Sequence, residues 1–321
     1  MINMSYWIRL TDRVEYPFVL THLLHSIAEF PLEIPLDQYP FLVDKALFIT
    51  LQNTDPDTVI PSAISISQII NFLCDEKNTL VLNQIMLVIE KHGIGNIYPL
   101  INVQEISSGI FPLIMSLLLL DFSYRFGFET DFNPIQRSEM CQFLFVSPEM
   151  FSEIEKVLWN QQNFTDEYLN NILQFLIKVA ERYHDIPVNI LNMVIQMAKD
   201  KSFTFKCHTA VLVSLVIDDI IDRKEFDDFE FFEMLVDLII GNANEIMDRL
   251  LECFCSLVGI PGGPYGNYLI TKMDVNGFFQ ALEEIRETMG SEEIDELAAD
   301  AEKLIRDELP RPYEMVYSEE Y

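Results

Sequence analysis

Apolar residues along this chain recur at three- and four-residue intervals, and no stretch alternates strictly between apolar and polar. In the segment 165–180, Leu169, Ile172, Leu173, Leu176 and Ala180 fall on one face of a helix, while Asn170, Gln174 and Lys178 fall on another. Thr165 precedes this helix as its N-cap. Asp166 and Glu167 occupy the first turn, where the positive end of the helix dipole favours acids. The same period predicts helices over 41–52, 58–74, 79–92, 106–120, 148–160, 188–199, 203–217, 229–240, 243–258, 276–289 and 291–308. Short polar breaks such as Asn53-Thr-Asp-Pro, Asp185-Ile-Pro and Lys199-Asp-Lys-Ser separate them. The fold class expected from this pattern is all-α. Pro17, Pro31, Pro35 and Pro40 interrupt the start, so residues 1–40 are expected to form a lead-in with a capping helix at about 17–29. Residues 310–321 carry two prolines and no helical period, and are expected to be a flexible acidic tail.

The helices also repeat. Leu173, Leu212 and Leu251 are each 39 residues apart, and Ile172, Val211 and Leu250 correspond, as do Leu176, Leu215 and Phe254. A further copy, Ser291 to Ile305, follows after the glycine-rich loop that begins at Gly259, and each copy is preceded by another amphipathic helix. A helix pair of about 40 residues that buries its apolar face against the next pair is the mark of an α-solenoid.

Two stretches carry a resemblance: Asn53-Thr-Asp-Pro-Asp-Thr-Val-Ile-Pro-Ser-Ala-Ile-Ser-Ile-Ser-Gln-Ile-Ile, a turn followed by a helix, and Asn276-Gly-Phe-Phe-Gln-Ala-Leu-Glu-Glu-Ile continuing through Glu292-Glu-Ile-Asp-Glu-Leu. They resemble units of the armadillo/HEAT superfamily. The resemblance implies a right-handed α-solenoid of about six to eight helical repeats over 41–309, working as a non-enzymatic scaffold or adaptor without a cofactor. Nuclear-import adaptors of that superfamily repeat Trp and Asn along one helix of each repeat. Here the polar stripe reads Asn170, Thr209, Asp248 and Gln174, Val213, Glu252, so that ladder is absent. A transport-adaptor role is an alternative without its ladder residues.

Charge narrows the partners. The chain has 51 acidic residues against 21 Lys and Arg, a formal net charge of −30. A phosphate backbone must be neutralised by Lys and Arg, so direct nucleic-acid binding is not expected, and neither is docking on anionic lipid. The longest apolar run, Ile110 to Leu120, is too short to cross a bilayer and reads as a core helix. The N-terminus lacks a basic segment followed by an apolar one. The five cysteines are an odd number set mostly within apolar stretches, and are expected to be free thiols. The expected location is the cytoplasm or nucleus.

Candidate chemistry is sparse. Ile217-Asp-Asp-Ile-Ile-Asp222 contains a DDxxD pattern, which all-α isoprenoid synthases use to hold magnesium against a diphosphate, so Asp218, Asp219 and Asp222 define an enzyme alternative. No partner motif follows it, and the 39-residue register places it at the end of a repeat helix, a usual place for a solvated turn. From Asp218 to Asp237 there are nine acids and two basic residues, with Phe226, Phe229, Phe231 and Phe232 interleaved. This is either a solvated turn leading into a Phe-faced helix or an acidic rim for a basic partner. His22 and His25 have no further ligand at metal spacing, Cys253 and Cys255 point apart on one helix, and His208 occupies a core-type position. No metal is expected. The residues expected to meet a protein partner are Asn170, Asn171, Gln174, Lys178, Asp248 and Glu252 on the repeated stripe, with Asp218, Asp219, Asp222, Asp227 and Asp228 as the acidic rim.

Overall fold

The computed structural model describes residues 4–11, 13–14, 16–122, 146–183, 186–218, 229–241, 243–260 and 263–308. Among these the chain is all-helical, with fifteen α-helices and no strand. It divides into two compact units, Met1–Phe175 and Leu176–Tyr321.

The first unit holds α1 (Met4–Thr11), α2 (Pro17–Ala28), α3 (Tyr39–Gln52), α4 (Pro56–Asp75), α5 (Thr79–His92), α6 (Ser107–Phe122) and α7 (Pro148–Trp159). Several starts follow from sequence. Pro17, Pro56 and Pro148 sit in first turns, where the missing N–H is no loss. The side chains of Asn78 and Ser147 accept hydrogen bonds from the backbone N–H of Val81 and Met150. α4 is the centre of this unit and packs against α2, α3, α5 and α6. Its contact with α6 is close: Gly109 lies directly over the Ile60 backbone, and Ser67 and Ser116 share a 2.7 Å hydrogen bond. Pro56–Asp75 and Gln104–Asp121 are long and apolar enough to cross a membrane by length and composition alone, and more than half of each is buried inside the protein. Three 3-10 turns fill Ile94–Ile106, between the helices predicted over 79–92 and 106–120, and the second of these begins at Ser107.

α3 and α5 are also joined by charge. The Asp44 carboxylate accepts hydrogen bonds from Lys91 Nζ at 3.0 Å and His92 Nε2 at 2.8 Å. Burial alone would raise the Asp44 pKa, but the hydrogen bonds and charges of Lys91 and His92 outweigh it and hold the group below the ordinary aspartate range. A carboxyl depressed in the folded state stabilises above its unfolded pKa of about 4, and that contribution disappears as pH falls through the folded value. Asp44→Asn is therefore expected to cost about 0.5–1 kcal/mol at pH 7, a solvent-screened figure for a half-exposed pair. The difference from the wild type should shrink on acidification below about pH 4, as measured by urea unfolding at both pH values.

The predicted cap of α8 (Asp166–Tyr183) is present, with Thr165 Oγ1 accepting from the Tyr168 N–H at 3.2 Å. The second unit holds α9 (Val188–Ala198), α10 (Phe203–Ser214), α11 (Phe229–Ile240), α12 (Met247–Val258), α13 (Tyr265–Lys272), α14 (Val275–Met289) and α15 (Glu292–Glu308). The helices pair as α9 with α10, α11 with α12 and α14 with α15, and the second members pack in series, α10 on α12 and α12 on α15. The first members follow suit: α11 packs on α14, and Lys199 after α9 forms an ion pair with Glu230 of α11. An aromatic chain holds the centre, with Phe232 stacked on Phe254 and Phe254 on Phe278 at centroid distances of 5.7 and 4.7 Å. Phe231 and Phe232 are fully buried, the Phe-faced helix foreseen in the acidic stretch. Gly290, with φ +58°, ends α14 in the left-handed conformation that glycine adopts without penalty.

The register holds at its principal position. Leu173, Leu212 and Leu251 are 1%, 0% and 0% exposed. It slips elsewhere in the middle copy. The buried neighbour of Leu212 is Val213, whereas Leu173 and Leu251 pair with the preceding Ile172 and Leu250. α10 is thus turned by about one residue relative to the other two, and ends at Ser214 rather than at 217. Consequently Thr209 and Val213, expected on the polar stripe, are buried, and Thr209 Oγ1 donates to the Phe205 carbonyl. The stripe does not continue through α10. Two short helices, α1 and α13, were not predicted. α13 emerges from the glycine- and proline-rich stretch read as a loop, and Tyr265 and Leu269 anchor it in the core.

Candidate functional site

The repeated packing of α10, α12 and α15 leaves an open cleft of about 740 Å³ in the second unit. α12 supplies its middle: Arg249, Glu252 and Ser256, at i, i+3 and i+7, form the outward stripe opposite the buried Leu250, Leu251 and Phe254. Leu215 and Asp218, just beyond α10, line one side, and Leu297 of α15 lines another. Asp218 is exposed, while Leu215 and Leu297 are half-buried. Arg249 Nη1 lies 3.5 Å from Glu252 Oε2, with both side chains about half exposed. Such a pair is screened by water and worth about 0–1 kcal/mol.

Two thiols, Cys253 and Cys255, complete the lining. Cys253 is fully buried, and burial drives its pKa far above the usual thiol range. Cys255 is pushed up to about 12, first by burial and then by the Asp300 and Glu252 carboxylates, and its Sγ donates to the Leu297 carbonyl. Both therefore remain protonated at neutral pH, and a thiol is a poor nucleophile in that form. Cys207, Cys253 and Cys255 are free thiols, as expected; Cys141 lies outside the described residues. Ser214 Oγ donates to the Val211 carbonyl at 2.8 Å, and none of the described residues that line the cleft is a histidine. What the cleft offers is two carboxylates, a guanidinium, small hydroxyls and apolar walls, which is a surface for recognition.

Of the residues expected to meet a partner, the fold brings Asp218 and Glu252 to this one cleft. Asp248 is half-buried on α12 beside it and does not line it. On α8, Asn170 and Asn171 are half-buried, Gln174 is exposed, and Lys178 pairs with Glu181 at 2.7 Å. Asp219, Asp222, Asp227 and Asp228 lie outside the described residues, so of the DDxxD pattern only the exposed Asp218 is placed. Among the described residues no group of three or more His, Cys, Asp or Glu is arranged to hold a metal. His22 packs edge-on against Phe18, His25 faces Glu29 at 3.9 Å, and burial lowers the pKa of half-buried His208. Arg249, Ser256 and Leu297 were not foreseen. Arg249 was visible as an i, i+3 partner of Glu252, but on one helix that spacing also describes an ordinary solvated face.

A second concavity of about 370 Å³ lies between α9, α10 and α11. Its rim carries Lys199, Lys206, Glu230, Glu233 and Asp237, so its charges largely offset one another. In the first unit a pocket of about 360 Å³ is formed by Phe18 and His22 of α2 with Pro56, Asp57, Ile60 and Pro61 of α4.

Comparison with family models and with curated proteins gave no match for this chain.

Proposed function

We propose that this chain is a non-enzymatic protein–protein interaction scaffold or adaptor of the cytoplasm or nucleus, built as an armadillo/HEAT-like α-solenoid that receives a basic segment of a partner protein. The observation that carries this reading is the serial packing of α10, α12 and α15, which exposes an acid-bearing cleft between consecutive second helices. Stacked helix pairs create such surfaces as a consequence of their geometry, with selectivity left to the outward side chains. A net charge of −30 favours a basic partner by steering and by rejecting acidic competitors. The thiols that line the cleft are held protonated by burial, which fits binding better than nucleophilic catalysis.

The test is capture of partners on the tagged full-length chain from its source lysate, with washes at about 0.05 and 0.5 M salt, spanning strong and weak screening. A second sample carries Asp218, Asp219, Asp222, Asp227 and Asp228 reversed to lysine. A basic protein retained at low salt, released at high salt and reduced at least about tenfold by the reversal is expected. Partners bound equally by both proteins at both salt concentrations would contradict the electrostatic docking.

A further inference from the structure

We infer that the cleft between α10, α12 and α15 takes an arginine flanked by an apolar side chain from the partner, and that Arg249 is the cleft's own stand-in for that arginine. The inference rests on the scaffold reading and names the chemistry of its docking site. The lining sets an apolar surface beside a carboxylate. Leu215 caps the end of α10 and Leu297 lies on α15, the two helices that pack against α12; both leucines are half-buried, and Glu252 stands on α12 with Asp218 on the rim. An apolar side chain fits the leucines, and a cation beside it fits the carboxylates. Among the described residues that line the cleft, the cation is Arg249, whose guanidinium already lies 3.5 Å from Glu252. The pair demonstrates that a guanidinium reaches this carboxylate from the cleft side. A guanidinium presents paired N–H donors that match a carboxylate, whereas a lysine ammonium acts as a point charge.

Binding therefore proceeds as an exchange: the partner's arginine replaces Arg249 on Glu252, and Arg249 turns into solvent. The cost of that exchange is that of a half-exposed ion pair, small enough for a partner to displace. Arg249 thus acts as a built-in competitor that lowers affinity for weakly matched cations. Removing it should tighten binding. Mere loss of a surface cation from an acidic protein would instead tighten binding of any basic ligand, independently of Glu252.

The experiment measures fluorescence anisotropy of three fluorescein-labelled peptides with the full-length chain: a leucine between two arginines, between two lysines, and between two glutamates. For the arginine peptide, Arg249→Ala is expected to lower Kd about two- to fivefold, and Glu252→Gln to raise it at least as much. The Arg249→Ala gain should vanish when Glu252→Gln is also present. Glu287→Gln, an exposed acid on α14 that does not line the cleft, should leave Kd within about twofold. The lysine peptide should bind more weakly than the arginine one, and the glutamate peptide not at all. Equal Kd for wild type and Arg249→Ala overturns the inference. So does an Arg249→Ala gain that persists with Glu252→Gln, or no binding of the arginine peptide at millimolar protein. If the peptide arm fails while partner capture still responds to rim reversal, the arginine assignment falls and the scaffold reading stands. If both fail, both are wrong. All the altered side chains are exposed, so folding is expected to be retained, and circular dichroism checks it.

Discussion

Phe254→Ala is expected to destabilise the second unit by about 3–5 kcal/mol, the range for truncating a fully buried aromatic side chain. Phe254 is 0% exposed and its ring stacks between those of Phe232 and Phe278. Truncation would therefore remove the middle of an aromatic chain joining α11, α12 and α14. The neighbouring rings are themselves buried and cannot collapse into the void without leaving their own packing. Because α12 presents Glu252 on the opposite face, the same change should loosen the cleft. The measurement is urea unfolding of the full-length chain, with hydrogen exchange read in peptides covering 247–258. Phe203→Ala, at a residue 55% exposed, should shift stability by no more than about 0.5 kcal/mol. A shift below about 1 kcal/mol for Phe254→Ala would mean that the second unit is not organised around this core.

Gly109→Val is expected to cost the first unit about 2–3 kcal/mol, for the opposite reason. A Cβ on Gly109 would sit 2.7 Å from the Ile60 Cα and 2.9 Å from its carbonyl oxygen. Those are backbone atoms of α4, so no rotamer change relieves the clash, and α6 must move away from the central helix. That motion also strains the Ser67–Ser116 hydrogen bond and the bond from Ser67 to the Pro112 carbonyl. Gly109 lies within a helix, where alanine would ordinarily stabilise by up to about 1 kcal/mol. Gly109→Ala separates the two effects, because destabilisation despite better helix propensity identifies close approach as the cause. Both Trp residues, Trp7 and Trp159, belong to the first unit, so tryptophan fluorescence during urea unfolding reports on it.

Why the helices were legible and the cleft was not follows from what each depends on. Helix starts such as Thr165 and Ser202 are local: a hydroxyl that accepts from the N–H three residues on needs no tertiary partner. The 39-residue spacing of Leu173, Leu212 and Leu251 is nearly as local, since it marks the core face of successive helices. α1 and α13 escaped because eight residues give barely two turns of period, and in α13 glycine and proline outweighed Tyr265 and Leu269. The turn of α10 that buries Thr209 and Val213 was not visible either. An alignment of apolar positions fixes rotation only to about one residue, which is about 100° of helix. Asp218 and Glu252 were legible as acids on a stripe and a rim. Their meeting in one cleft with Leu297 depends on α15 packing beside α12, a contact between residues more than 40 positions apart.

A partner held at the α10–α12–α15 cleft would shield the carboxylates that line it, and carboxylate footprinting reads this directly. The full-length chain is treated with a carbodiimide and a small amine, with and without the basic protein captured at low salt, and modification is read residue by residue by mass spectrometry. The partner is expected to protect Asp218 and Glu252 while leaving Glu287 and Glu293, exposed acids that do not line the cleft, modified as before. Unchanged modification of Asp218 and Glu252 in the complex, with protection at other carboxylates, would contradict it and move the binding surface elsewhere.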